Sequence, residues 1–162
     1  MQATRVLVVE DNEVFSRFIS LILQREQTFA VVGVIADGLT AVQSADDHQP
    51  DLILLDIGLR GQNGIDAAQR ILRVAPRSKI IFVTAECSPA VIWRALDLGA
   101  CGYVLKSDAG SELLPAMRSA LEETHYVSTG CREALASAVL SDRQREMQWP
   151  TAILENGTNV GV

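Results

Sequence analysis

"DLILLDIGLRGQNG" (51–64) decides how this chain is read. Four aliphatic residues, Leu52 to Leu55, run without polar interruption into one carboxylate, Asp56. A short apolar run without alternation is the pattern of a strand covered on both faces, as in a parallel sheet. Gly58, Gly61 and Gly64 then follow within eight positions, the signature of a tightly turning exit. The chain thus sets a lone carboxylate at the end of a buried strand and surrounds it with pliable backbone.

Working outward, the same pattern recurs. Strands are expected at 5–9 ("RVLVV"), 29–36 ("FAVVGVIA"), 50–56, 79–85 ("KIIFVTA") and 102–106 ("GYVLK"). Between them lie helical patterns at 14–23, 37–48, 64–76, 89–100 and 112–123. In the first helix, apolar residues at 14, 15, 18, 19, 22 and 23 form one expected face. Pro115 would remove a backbone bond inside the fifth helix, so that helix is expected to start late or bend near its first turn. Five strand–helix alternations with short connections predict an α/β fold: a doubly wound, five-stranded parallel sheet with helices on both faces. The expected division is 1–123 for this domain and 124–162 for a linker helix (132–140) with an irregular tail.

Composition narrows the function. The chain has 162 residues, 48% hydrophobic, few aromatics and a formal net charge of −6. Its core must be aliphatic, and its surface is not built mainly for nucleic acid. The first residues carry no leader pattern, and no apolar stretch is long enough to span a bilayer. Cys87, Cys101 and Cys131 lack metal-ligand spacing and read as free thiols, which points to a cytoplasmic protein without a membrane partner.

In sheets of this class ligands bind beyond the carboxyl ends of the strands. There this chain presents Glu10 and Asp11, then Asp56, Thr84 and Lys106, in order. Singly, each has an ordinary explanation as a cap, turn or surface residue. Jointly, the three carboxylates require a positive partner, and a hard divalent cation such as Mg2+ takes oxygen ligands.

With these residues the chain resembles the receiver domain of bacterial two-component response regulators over about 4–123. "VLVVEDN" resembles the family's acidic pair, which implies that Glu10 and Asp11 serve the metal. "LILLDIGLRGQNG" resembles the phosphoacceptor strand and loop, with Asp56 as phosphoacceptor and Gly58 as the residue whose backbone oxygen completes the Mg2+ shell. Thr84 resembles the switch hydroxyl, Tyr103 in "GYVLK" the switch aromatic, and Lys106 the phosphate-contacting lysine. The resemblance implies a sensor histidine kinase as partner and homodimer formation on activation. Arg60 stands where the family usually has proline, implying a freer loop or a residue turned toward a partner. Ser107 after Lys106, "HYVS" (125–128) and "LSDRQREM" (140–147) resemble the NarL/LuxR branch, whose output is a helix-turn-helix domain. Only 15 residues follow the last stretch, so DNA reading is expected through an output domain absent from these residues.

Two other classes fit less well. A phosphohydrolase resembling the haloacid dehalogenase family needs a second Asp where Gly58 stands, and a nucleotide-binding fold needs a glycine-rich first turn where "VEDNEVF" stands. A receiver-like module acting without phosphorylation would ignore both Mg2+ and acyl phosphates.

Overall fold

The computed structural model describes residues 2–141. The readings of 148–162 as irregular and of most of "LSDRQREM" (140–147) fall outside them.

Strands β1 (Thr4–Val9), β2 (Phe29–Ile35), β3 (Leu52–Leu55), β4 (Lys79–Thr84), β5 (Gly102–Leu105) and β6 (Tyr126–Val127) alternate with helices α1 (Glu13–Gln24), α2 (Gly38–His48), α3 (Gly64–Val74), α4 (Pro89–Asp97), α5 (Ala109–Leu121) and α6 (Thr129–Ser141). The strand order is β2-β1-β3-β4-β5-β6. The expected doubly wound α/β fold is present, with six strands rather than five. The additional strand is only two residues long, too short to show a period, and forms because "YV" pairs in parallel with Gly102 and Tyr103 of β5.

The chain divides into two compact units, the first ending at Val83 and the second starting at Thr84. In the first, β1 and β3 are the apolar centre: Val6 to Val9 and Leu52 to Leu55 are each at most 1% exposed. Burial on both faces is why these strands lack alternation. Caps begin the helices. Asn12, Asp37 and Asn63 accept backbone N–H groups from Phe15, Thr40 and Ile65, offsetting donors that the first turn leaves unpaired. Accepting those bonds holds the Asp37 carboxyl below its ordinary range.

The face of α1 differs from expectation. Ser16, Ile19 and Leu23 are buried, whereas Val14 is 80% and Phe18 40% exposed. At about 100° per residue, positions 14 and 18 lie far around the helix from 16. Apolar spacing alone placed Ile19 and Leu23 on the buried face but also put Val14 and Phe18 there and passed over Ser16, whose hydroxyl donates to the Glu13 carbonyl at 3.0 Å.

In the second unit, α5 starts three residues earlier than expected and runs through Pro115. An interior proline costs about 3 kcal/mol or more. Full burial of Leu113, Ala116, Met117 and Ala120 supplies the compensating packing. The strand β6 and helix α6 belong to this unit's core: β6 packs on α5, α6 packs on α4 and β5, and Tyr126, Val127, Cys131 and Leu135 are buried. The expected α6 at 132–140 therefore begins earlier, at Thr129.

Candidate functional site

Register builds the acidic cluster. Val9 pairs with Leu55, so the next residues, Glu10 and Asp56, lie one step beyond neighbouring strands. Two further ladder bonds hold that step: Asp56 N–H donates to the Val9 carbonyl at 3.0 Å, and Glu10 N–H to the Ile35 carbonyl at 2.9 Å. The Glu10 carboxylate accepts the Asn12 N–H at 3.0 Å, which turns the chain into α1 and fixes Asp11 between them.

Glu10 is 4% and Asp56 5% exposed. One oxygen from each of Glu10, Asp11 and Asp56 lies within 4.8 Å of the others. Opposite ligands of an Mg2+ octahedron stand about 4.1 Å apart, from metal–oxygen distances of 2.0–2.1 Å. Adjacent ligands stand closer, about 2.9 Å apart, so a bound ion would draw the three carboxylates together against the repulsion that holds them apart. The donors are all hard oxygens, the set that suits Mg2+.

The loop after β3 alternates. Ile57 and Leu59 are buried, while Gly58 and Arg60 face outward. Gly58 N–H donates to Asp56 Oδ1 at 3.1 Å. Arg60, though exposed, also reaches the acidic cluster. Its N–H donates to Asp11 Oδ2 at 3.0 Å, and its Nε lies 3.5 Å from the same oxygen. Gly64 closes the loop. Its N–H donates to the Ile57 carbonyl at 2.8 Å, and its Cα packs so close to the Asp56 backbone that a Cβ would come within 2.1 Å of the Asp56 oxygen.

The remaining predicted residues belong to the second unit. Thr84 is 2% exposed, and its Oγ1 accepts a long hydrogen bond, 3.4 Å, from Glu86 N–H. Tyr103 is fully buried, and its hydroxyl donates to the Glu86 carbonyl at 2.6 Å. The aromatic is thus inward in this structure. Lys106 follows β5 instead of ending it. It is half-buried and opens a single 3-10 turn, Lys106–Asp108.

Sequence reading missed one cluster altogether. Glu112 on α5 accepts from the Tyr126 hydroxyl at 2.9 Å, from Thr129 N–H at 3.0 Å and from Thr129 Oγ1 at 3.0 Å, with Arg132 3.8 Å away. Asp108 accepts Gly130 N–H at 2.9 Å. Two carboxylates, one on α5 and one in the 3-10 turn before it, thereby cap α6, a favourable place for negative charge. Burial, together with the Glu112 carboxylate, pushes the Tyr126 phenol upward. Nothing in the local sequence of either segment signals the pairing, since the partners stand 14 to 22 positions apart.

Comparison with known proteins agrees with this geometry. The response regulator receiver domain family matches residues 6–130. The chain is 33% identical over 120 residues to the response regulator protein VraR of Staphylococcus epidermidis, covering 74% of this chain and 57% of VraR. It is 37% identical over 126 residues to the transcriptional regulatory protein PdtaR of Mycobacterium tuberculosis, covering 76% of this chain and 60% of PdtaR. The chain therefore spans less than two thirds of the length of these relatives. A two-component response regulator of the LuxR family from Aurantimonas sp. SI85-9A1 superimposes with a TM-score of 0.80 at 26% identity, over 86% of this chain and 99% of that one. No helix among the described residues is long and apolar enough to cross a membrane.

Proposed function

Because the chain belongs to the response regulator receiver domain family, in its NarL/LuxR branch, we propose that it accepts a phosphoryl group on Asp56 from a phosphohistidine of a sensor kinase. The observation that carries this reading is the buried acidic cluster of Glu10, Asp11 and Asp56, typical of the Mg2+ site of receiver domains. An oxygen of Asp56 attacks phosphorus, the P–N bond to the donor imidazole breaks, and an acyl phosphate forms. Glu10, Asp11, Asp56 and the Gly58 carbonyl would hold Mg2+. When bound, that ion supplies neutralisation of the charge developing on the phosphoryl oxygens.

The protein's own part is positioning. The ladder bond from Asp56 N–H to the Val9 carbonyl and the Gly64 contact fix the Asp56 backbone, so the carboxylate needs little rearrangement before attack. On this reading Lys106 contacts the phosphoryl oxygens, and Thr84 turns its hydroxyl to the new charge. The long, weak bond at Thr84 is compatible with such a turn. The inward Tyr103 is then the position that phosphorylation would favour. The proposed domain division is a receiver at 1–123, with β6 and α6 carrying its state toward an output segment that reads DNA. A second copy of the chain is the proposed dimer partner. The cytoplasm, where a kinase would meet it, is the proposed location.

The test is intact-mass measurement after treatment with a small phosphodonor and Mg2+. The wild type should gain roughly 80 Da, the mass of one phosphoryl group, and Asp56→Asn should gain none. Full labelling of Asp56→Asn would overturn the assignment.

A further inference from the structure

The function proposed above leaves Arg60 unused. Two of its donors converge on a single oxygen, Asp11 Oδ2: the backbone N–H at 3.0 Å and the guanidinium Nε at 3.5 Å. The two side chains differ in setting. That of Asp11 is 15% exposed and that of Arg60 is 90% exposed. The loop places Arg60 there by its own packing, because Ile57 and Leu59 are buried and the intervening Gly58 and the following Arg60 face outward. The backbone bond is thus a fixed tether, and the guanidinium is a movable charge at the mouth of the acidic cluster.

We propose that Arg60 is an internal competitor of the divalent cation at Asp11, setting how tightly Glu10, Asp11 and Asp56 bind Mg2+. This rests on the metal site proposed above. The physical argument concerns charge. Three carboxylates with oxygens within 4.8 Å of one another repel, and this repulsion is what a cation relieves on binding. A guanidinium beside Asp11 already relieves part of it. A bound divalent cation also meets the positive charge of Arg60 as a neighbour. Both effects weaken binding. Because the guanidinium is solvated, the effect is modest and screened by salt. The backbone tether does not oppose the metal, since it is neutral and persists in any non-proline variant.

The consequence is that the site is tuned to fill at higher Mg2+ than its three carboxylates alone would require. A ligand that brings extra negative charge would draw Arg60 away from Asp11 and tighten the metal at once.

The experiment is a calorimetric Mg2+ titration of the chain and of a charge series at position 60. Affinity should rise in the order Arg60, Arg60→Ala, Arg60→Glu, by about two- to tenfold per step at low ionic strength. The steps should shrink toward zero at about 0.5 M monovalent salt. Arg17→Ala is the control for general charge. Arg17 is an exposed arginine paired with Glu13 on α1, and its removal should leave the affinity unchanged. Equal or weaker Mg2+ binding by Arg60→Ala, with the wild type binding normally, would overturn the role of Arg60 and leave the metal site standing. Equal tightening by Arg17→Ala would overturn it as well. Absence of Mg2+ binding in the wild type and every variant at millimolar concentration would overturn the metal site and this proposal together.

Discussion

Substituting alanine for Gly64 tests how the phosphoacceptor strand is fixed. A Cβ at this position would lie 2.1 Å from the Asp56 carbonyl oxygen, 2.6 Å from Ile57 Cα and 2.9 Å from the Asp56 carbonyl carbon. Ordinary contact begins at 3.4 Å, so relief requires the backbones to part by 3.4 − 2.1, or 1.3 Å. All three obstructing atoms are backbone, and no rotamer change can absorb the clash. Overpacking of a filled interior costs about 1–3 kcal/mol, and the upper end applies where only main chain can yield. The two neighbouring glycines of the opening stretch calibrate this value. At Gly61 nothing lies within 4 Å, but φ is +72°. Alanine there should cost about 1 kcal/mol for its left-handed backbone. At Gly58 the nearest atom is Asp56 Oδ1 at 3.9 Å, an ordinary contact, and φ is unremarkable. Alanine there should stay within about 0.5 kcal/mol. Urea denaturation of the three variants should rank Gly64→Ala as most destabilised, then Gly61→Ala, then Gly58→Ala. Because two of the three strained atoms belong to Asp56, Gly64→Ala should also slow phosphorylation by a small phosphodonor, by about 100-fold if the carboxylate moves 1 Å. Stability of Gly64→Ala within 0.5 kcal/mol of wild type, or a larger loss at Gly58, would refute the packing argument.

Two further outcomes follow from the second unit. Glu112→Ala removes the acceptor shared by Tyr126 and Thr129 and should cost about 2 kcal/mol, the value of charge-assisted bonds; hydrogen exchange should accelerate across β6 and the first turn of α6 before it changes in β1 or β3. Burial pushes the Cys131 thiol from 9.0 up to about 11, against a smaller opposing effect from the Ser128 hydrogen bond. Between pH 9 and 11 the unfolded chain then binds fewer protons than the folded one, so stability falls as pH rises through this window. Melts of Cys131→Ala should lack that part of the decline, and an unchanged decline would count against it.

Which parts of this protein were legible in its sequence follows from the range of the forces involved. Burial on both faces needs an unbroken apolar run, so Leu52 to Leu55 announce a central strand without reference to the rest of the chain. Strand ends in a parallel sheet share one edge, so Glu10, Asp11 and Asp56 could be placed together from alternation alone, and the cluster is where that argument puts it. Caps are equally local: Asn12, Asp37 and Asn63 act within three residues of their own positions. Other features depend on partners that one-dimensional spacing cannot name. Ser16 rather than Val14 faces inward because of what α1 packs against, not because of its own period. The two-residue β6 exists only because β5 offers an open edge, and α6 starts where Glu112 and Asp108 accept its first N–H groups. Arg60 reads as a solvated loop residue until folding closes the 49 positions between it and Asp11. Only the tertiary structure turns that arginine into a charge at the mouth of the acidic cluster, because a hydrogen bond requires two atoms about 3 Å apart, and chain order sets no such distance across separate strands.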